Sequence, residues 1–484
     1  MTDRTSAPHL IRSADDVHAL LARFGSQSRR TRGVILLALG GIFMDAYDFS
    51  SLAFGITAIK EQFGLDGFTT GLVNAAIMIG AVVGALAGGV LVDRFGRYKL
   101  FMADMVFFVV AAIGCALAPN AAVLIAFRFV MGLGVGLDLP VAMAFLAEFS
   151  KLAGRGSRSQ RVNAWSPAWY IATGFGYLVV LAVFLLLPHD QHTILWRIVV
   201  GFGAVPALAV LIARRRYLAE SPQWLADQGD LRGAVDVMRS HHGLDVALAP
   251  DARTGARRDT GHWRNIAELF SRRYRLRTIA TLSVSVFSTI GYNAVAYGTP
   301  LIISLLFLQS EMVTIVSALV INLGFGAAGG ILSVVAVNRV GARRLTLIGF
   351  AVQTASLGCL ALVGVPTSAV VVVALAMLAA FVFAQSFGPG ANLMSYATLS
   401  YPTRLRGVGV GFNQAVQRTF SILSLLFFPV LTAALSTNVF WLLACAPLAG
   451  VIAIAAIRWD PTGKDVDGED AAAGRAAPAL VREA

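Results

Sequence analysis

The chain has 484 residues, 57% of them hydrophobic and only 14% charged, with a mean hydropathy of +0.71. Soluble domains carry about 45–50% apolar and about 25% charged residues, so this composition excludes an ordinary water-soluble enzyme and a disordered chain. The net charge of +12 does not imply a nucleic-acid partner, because the basic residues stand between long apolar runs, where a basic excess is first an orientation signal.

Residues 1–32 are polar and contain arginine, and no A-x-A-like site closes the first apolar run. They read as a cytoplasmic N-terminal segment rather than a secretory signal. A bilayer-crossing helix needs about 20 mostly apolar residues. Twelve such runs follow, near 34–59, 69–92, 99–118, 121–148, 163–187, 194–213, 278–307, 313–337, 345–364, 368–397, 407–435 and 438–458. Spans 1–6 form a first bundle over 33–213 and spans 7–12 a second over 277–458. Between them lies a cytoplasmic central loop, 214–276, with a short helix expected over 231–238 and an irregular linker over 243–261. Residues 459–484 are acidic, then Ala-rich, and are expected to be a disordered cytoplasmic tail.

The connections alternate in charge. Arg94, Arg97 and Lys99 follow span 2, Lys151, Arg155, Arg158 and Arg161 follow span 4, and the 214–277 stretch follows span 6. Arg339, Arg343 and Arg344 follow span 8, and Arg404 and Arg406 follow span 10. The odd-numbered connections hold almost nothing basic beyond Lys60 and Arg197. The positive-inside rule places the basic set in the cytoplasm, with both termini, in a multi-pass inner (plasma) membrane protein. A membrane barrel is excluded, since its strands would be about 10 residues of alternating polarity. Cys115, Cys359 and Cys445 are isolated within apolar runs, which is neither a disulfide framework nor a metal site. No cofactor or metal is expected.

The two halves repeat one another. Asp93-Arg94-Phe95-Gly96-Arg97 after span 2 aligns with Asn338-Arg339-Val340-Gly341-Ala342 after span 8. The same offset sets Tyr47-Asp48 in span 1 against Tyr292-Asn293 in span 7, and Arg155-Gly156 resembles Arg406-Gly407. Two related six-helix bundles around a midplane site are the layout of an alternating-access transporter.

Here the residues resemble a family. Gly89-x-x-x-Asp93-Arg94-x-Gly96-Arg97-x-Lys99 is similar to the signature loop of the major facilitator superfamily. Arg128-x-x-x-Gly132-x-Gly134-x-Gly136 with Pro140 and Glu148 resembles the fourth helix of its sugar-porter and phosphate-symporter branches. Glu220-Ser221-Pro222-Gln223-Trp224-Leu225 and Pro402-Thr403-Arg404-Leu405-Arg406-Gly407 resemble sugar-porter motifs after helices six and ten. Asp45-Ala46-Tyr47-Asp48-Phe49 looks like the first helix of phosphate:proton and aromatic-acid:proton symporters. The resemblance implies an all-α membrane protein of twelve transmembrane helices in two pseudo-symmetric bundles, the major facilitator fold. It also implies a cytoplasmic latch between the halves, carried by Gly89, Asp93, Arg94, Gly96, Arg97, Glu148, Arg155, Arg339 and Arg406. The Gly132-x-Gly134-x-Gly136 run has no preceding strand, so it reads as close helix packing and not as a nucleotide loop.

Ionisable groups at membrane depth cost at least about 2.5 kcal/mol each and are functional candidates by default. Asp45, Asp48, Arg128, Asp138 and Arg418 lie at that depth, while Asp104 falls near the cytoplasmic end of span 3. All seven histidines fall outside the spans, so any proton carried must ride on a carboxylate. Asp45 and Asp48 are three apart and share a helix face. By resemblance, Asp48 pairs with Arg128 in a switch that protonation opens, so Asp45, Asp48 and Arg128 are the proton-coupling candidates. Asp138 matches a phosphate-branch position beside substrate. Arg418 stands about mid-span, where a guanidinium can grip a carboxylate or phosphate in a fork; a protein carboxylate is its alternative partner. Tyr47, Asp138, Tyr292, Asn293, Gln414 and Arg418 are the substrate-binding candidates.

The expectation is a proton-coupled symporter that imports a small polar metabolite, foremost an organic acid anion. A sugar, polyol or phosphate symporter and a nutrient sensor on the same fold are the alternatives. Its partners would be the solute, protons and the lipid bilayer, with no nucleic acid, and the protein would be a monomer rather than an enzyme assembly.

Overall fold

The computed structural model describes residues 8–24, 29–150, 158–241, 243–252, 262–295, 298–306, 310–366, 370–464, 466 and 469. Eleven helical stretches are long and apolar enough to cross a membrane, and the last, Leu405–Ala456, contains two spans divided by the turn Ser436–Asn438. The result is a twelve-helix membrane architecture.

In the first half, span 1 is Arg29–Phe63, span 2 Gly67–Phe95, span 3 Arg97–Ala116 and span 4 Ala121–Ser150. Span 5 is Trp165–Leu186, and span 6 is Leu195–Phe202 continued by Ala204–Tyr217. In the second half, span 7 is Arg275–Val295, continued by Thr299–Leu301 and a wide turn at Ile302–Leu306. Span 8 runs from Glu311 to Val340 through a π-helical stretch, Val320–Gly326. Span 9 is Ala342–Val363, span 10 Val371–Phe387 continued by Pro389–Leu399, span 11 Thr403–Leu435 and span 12 Val439–Ala456. Span 10 breaks at Gly388 because Pro389 has no N–H for the helix ladder and is tolerated only in a first turn.

The outward-facing side chains are apolar, with Leu86 68%, Leu186 81% and Val372 72% exposed. That pattern suits lipid, which demands that every backbone polar group be satisfied within the protein. Small residues let the helices close up: a Cβ at Gly132 would strike the carbonyl of Ile77 in span 2. The fourth-helix glycine run is therefore a packing seam. The two halves meet along spans 2 and 11, where Gly71 backs onto the Leu426 carbonyl, and along spans 5 and 8, where Gly330 lies on Pro167.

One end of the bundle carries the long loop and the terminal segments. There His9–Ile11 (β1) pairs in parallel with Val246–Leu248 (β2). Helices Ala14–Phe24, Pro222–Asp227 and Leu231–Ser240 pack beside the pair. Ile11, Val17, Leu231, Val235, Met238 and Val246 form their apolar core. The stretch expected to be an irregular linker thus contains a strand. Its partner lies at the far N-terminus, so no local pattern announces it. The start of the tail is also used: Asp460 Oδ2 accepts from the Arg343 N–H (3.2 Å) and Thr462 Oγ1 from the Ala342 N–H (2.9 Å). These satisfy donors left free at the start of span 9.

Candidate functional site

Between the halves lies a cavity with about 490 Å³ of empty space, part of it open to solvent. Spans 1, 2 and 4 contribute Phe49, Asn74 and Arg128 to its wall, and spans 7 and 11 contribute Asn293 and Phe428. Helix geometry explains the span 1 contribution, since Phe49, Leu52, Ala53 and Ile56 recur at helical spacing on one face.

Asp48 is 1% exposed and Arg128 2%. The two neighbour each other as the sequence suggested, but the contact differs from a carboxylate fork. Arg128 Nη1 donates to the backbone carbonyl of Asp48 at 3.4 Å and points toward Met131 Sδ at 3.7 Å. Neither carboxylate oxygen of Asp48 has a hydrogen-bond partner among the described residues. Asp48 is therefore a buried carboxyl beside a guanidinium, ready to gain either a proton or the fork.

Asp45 is also 1% exposed, and its charged neighbours are Asp138, Arg418, Asp48 and Arg214. Arg418 enters from the second half, 6% exposed, with Nη1 3.6 Å from Met78 Sδ in span 2. Of the two partners open to it, a protein carboxylate is the one close by. Asp138, expected beside substrate, instead receives Arg214 Nη2 at 2.8 Å on Oδ1. Arg214 also donates to both oxygens of Asp104 at 2.9 Å. The sequence reading had left Arg214 in the central loop and Asp104 near the membrane interface. Both side chains are fully buried, because span 6 extends as helix to Tyr217 and packs against spans 3 and 1, from where Arg214 reaches Asp138 of span 4.

Tyr47, another expected solute contact, has a different task. Its hydroxyl donates to the Val199 carbonyl at 2.6 Å, tying span 1 to span 6 inside the first half. Tyr292 does stand on the seam: its hydroxyl accepts from Trp169 Nε1 at 2.7 Å, bridging spans 7 and 5. Asn293 is buried on the cavity wall with an unpartnered Nδ2. Gln414 points its amide at Met394 Sδ, 3.5 Å away in span 10. Asn413 and Gln417, beside it on span 11, keep buried polar atoms without partners; the sequence offered them only as polar residues within an apolar run.

Among the expected latch residues, Arg155 lies outside the described residues, and so do the side chains of Gly89, Asp93, Arg94, Arg97 and Glu148. Gly96 has φ +91°, a conformation that disfavours any side chain, and a Cβ there would overlap the Glu220 carboxylate. Glu220 in turn accepts from the Tyr98 N–H at 3.1 Å, an anion at the start of span 3. Two motifs far apart in sequence thus meet at one helix terminus. Arg339 is exposed, and Arg406 caps span 10 by donating to the Thr398 carbonyl at 2.9 Å.

At the same end a contact joins the halves. Asn163, just before span 5, donates to Asn392 Oδ1 (3.0 Å) and Ser333 Oγ (3.3 Å) and accepts from Ser395 Oγ (2.7 Å).

Two six-helix bundles with a cavity between them have the layout of a carrier. The family of sugar (and other) transporters matches residues 33–458. The chain belongs to this family. As a transporter of this kind it is 29% identical over 408 residues to the D-xylose transporter of Levilactobacillus brevis, covering 81% of this chain and 84% of the relative. It is 29% identical over 438 residues to the major myo-inositol transporter of Bacillus subtilis, covering 86% and 89%. In fold it is similar to the E. coli xylose transporter in a partially occluded inward-open conformation, with a TM-score of 0.72, 19% identity and coverage of 90% and 100%. The major facilitator architecture of this transporter is thereby shown.

Proposed function

We propose that the protein is a proton-coupled symporter for a small neutral polyhydroxylated solute, a sugar or polyol, working by alternating access. The observation that carries this reading is the buried charge count. Among the described residues the buried acids are Asp45, Asp48, Asp104 and Asp138, and the buried bases are Arg128, Arg214 and Arg418. Four carboxyls face three guanidiniums, so no surplus positive charge awaits an anion. An organic acid or phosphate would bring negative charge among groups with no guanidinium to spare, at a steep desolvation cost. The expectation of an organic acid rested on the first-helix resemblance, on Asp48 with Arg128 and on a mid-span Arg418, and Asp45 as a charged neighbour of Arg418 weakens the last of these.

The seam offers neutral hydrogen bonding instead. Unpartnered amide atoms of Asn293, Asn413 and Gln417 are donors and acceptors suited to hydroxyls. The relatives named for D-xylose and myo-inositol support the same solute class. Asp48 is the proton carrier in this reading: protonated it is neutral and indifferent to Arg128, ionised it draws the guanidinium. The basic loops support a cytoplasmic position for the loop-bearing end, and cotransport with protons down an inward gradient gives uptake as the working direction.

The test is purified protein in proteoliposomes, offered D-xylose, myo-inositol, benzoate and phosphate with and without an inward proton gradient. A sugar or polyol is expected to accumulate only with the gradient. Asp48→Asn is expected to lose accumulation at least about tenfold, the effect of about 1.4 kcal/mol, while solute counterflow continues. Stabilisation and uptake of benzoate or phosphate, with no response to either neutral solute, would overturn the assignment.

A further inference from the structure

A second buried ionisable cluster lies apart from Asp48 and Arg128. Arg214 donates from Nη1 to both oxygens of Asp104 (2.9 Å) and to the Phe101 carbonyl (2.7 Å), and from Nη2 to Asp138 (2.8 Å). Its guanidinium carbon sits 3.4 Å over the centre of the Phe101 ring. The Asp104, Asp138 and Arg214 side chains are all fully enclosed. One guanidinium thus serves two carboxyls, and with both ionised the cluster would bury a net charge of −1.

The two carboxyls are held side by side on that one guanidinium. Two carboxylates sharing a single cation in a closed site repel one another, which favours a proton on one of them. Asp138 Oδ2 has no donor among the described residues, and it abuts Gly41, where any Cβ would overlap it. Gly41, Asp45 and Asp48 follow each other at i, i+4 and i+7 on one face of span 1. The level of Asp138 is thus separated from Asp48 by about 10 Å along the helix, at 1.5 Å per residue. Asp45 stands between, with an unpartnered, buried Oδ1.

The geometry points to Asp104, Asp138 and Arg214 as a second proton-binding site, which holds one proton between its two carboxyls. Asp45 faces it from span 1 and in turn neighbours Asp48 and, from the opposite half, Arg418, while Arg128 neighbours Asp48. A proton that leaves the pair returns it to −1, and Asp45 accepts that proton through its open oxygen and becomes neutral. The net charge of the seam is unchanged by this transfer. Arg214 is a positioning residue: it fixes both carboxyls and never carries the proton. The site does not depend on which solute is carried or on whether Asp48 couples it.

The test is infrared spectroscopy of the purified protein in lipid at neutral pH, reading the carbonyl stretch that only a protonated carboxyl gives. The double variant Asp45→Asn/Asp48→Asn is expected to retain such a band. Adding Asp104→Asn or Asp138→Asn should abolish it, because the remaining carboxylate then forms a one-to-one ion pair with Arg214. Both Asn replacements keep shape and relieve a charge, so folding is preserved. Should either triple variant still fail to fold, alkaline titration of the double variant reads the same site as a band that disappears with rising pH. A double variant with no protonated-carboxyl band, or one whose band survives both added substitutions, would overturn the proposal.

Discussion

The two halves share a fold but divide the chemistry. Of the seven buried charged side chains among the described residues, Asp45, Asp48, Asp104, Arg128, Asp138 and Arg214 belong to the first half and only Arg418 to the second. The buried polar groups of the second half are amides and hydroxyls, among them Asn293, Asn322, Gln353, Gln385, Asn392 and Asn413. The repeat shows the same exchange residue by residue. Asp48 corresponds to Asn293 and Asp93 to Asn338, the amide in place of its acid each time. An amide has the shape of a carboxyl without its titration, so a duplicated scaffold can keep its packing while one copy retains titratable groups and the other only neutral hydrogen-bonding ones.

Breaking the charged half should have the largest effect. Arg214→Leu strands two carboxyls in a closed site, and removing one partner of a buried ion pair costs about 3–5 kcal/mol. Thermal unfolding of the purified variant should show a greatly lowered or absent transition. An equivalent blow to the amide half should be milder. Gln385 accepts from Gln353 Nε2 (2.6 Å) and donates to Ser288 Oγ (2.8 Å). Gln385→Leu orphans both at about 1–3 kcal/mol, lowering thermal stability while leaving the pH profile of transport in place. A shifted pH profile would mean that titration extends into the second half. The smallest effect is expected where the halves clasp. Asn163→Ala removes three bonds that cross between them, and about 1 kcal/mol of lost bonding shifts a two-state balance a few-fold. Faster hydrogen exchange over Trp165–Leu186, with an unaltered infrared carboxyl band, is the expected signature.

The spans were legible because lipid imposes long apolar runs, and the seam charges because each one interrupts such a run. Arg214 escaped for a local reason. It follows the apolar stretch directly and is followed by Arg215 and Arg216, so it resembles the start of a basic loop. Its burial is decided by Asp104 and Asp138, residues on two other helices. Asp104 held the available clue: a carboxylate in the apolar run of span 3 calls for a cation, and its own helix offers only Arg97 and Lys99, at its very start. Tyr47 shows the complementary limit, since helical spacing places it near Asp48 but cannot say that its hydroxyl reaches the Val199 carbonyl. The amides of span 11 were visible as letters, yet only packing distinguishes an unpartnered Gln417 from Gln414 resting on Met394.

The β1–β2 pair also sets an order of assembly. Strand His9–Ile11 has no partner until Val246–Leu248 has been synthesised, and by then all six helices of the first half are already made. A two-stranded sheet is marginal without neighbouring helices, so the Ala14–Phe24 and Leu231–Ser240 helices must arrive with it. The pairing therefore closes the first half into a finished unit while the second half is still on the ribosome. A chain divided between Leu248 and His262 should leave that unit intact, and a bulky fusion placed ahead of His9 would burden the step that completes it.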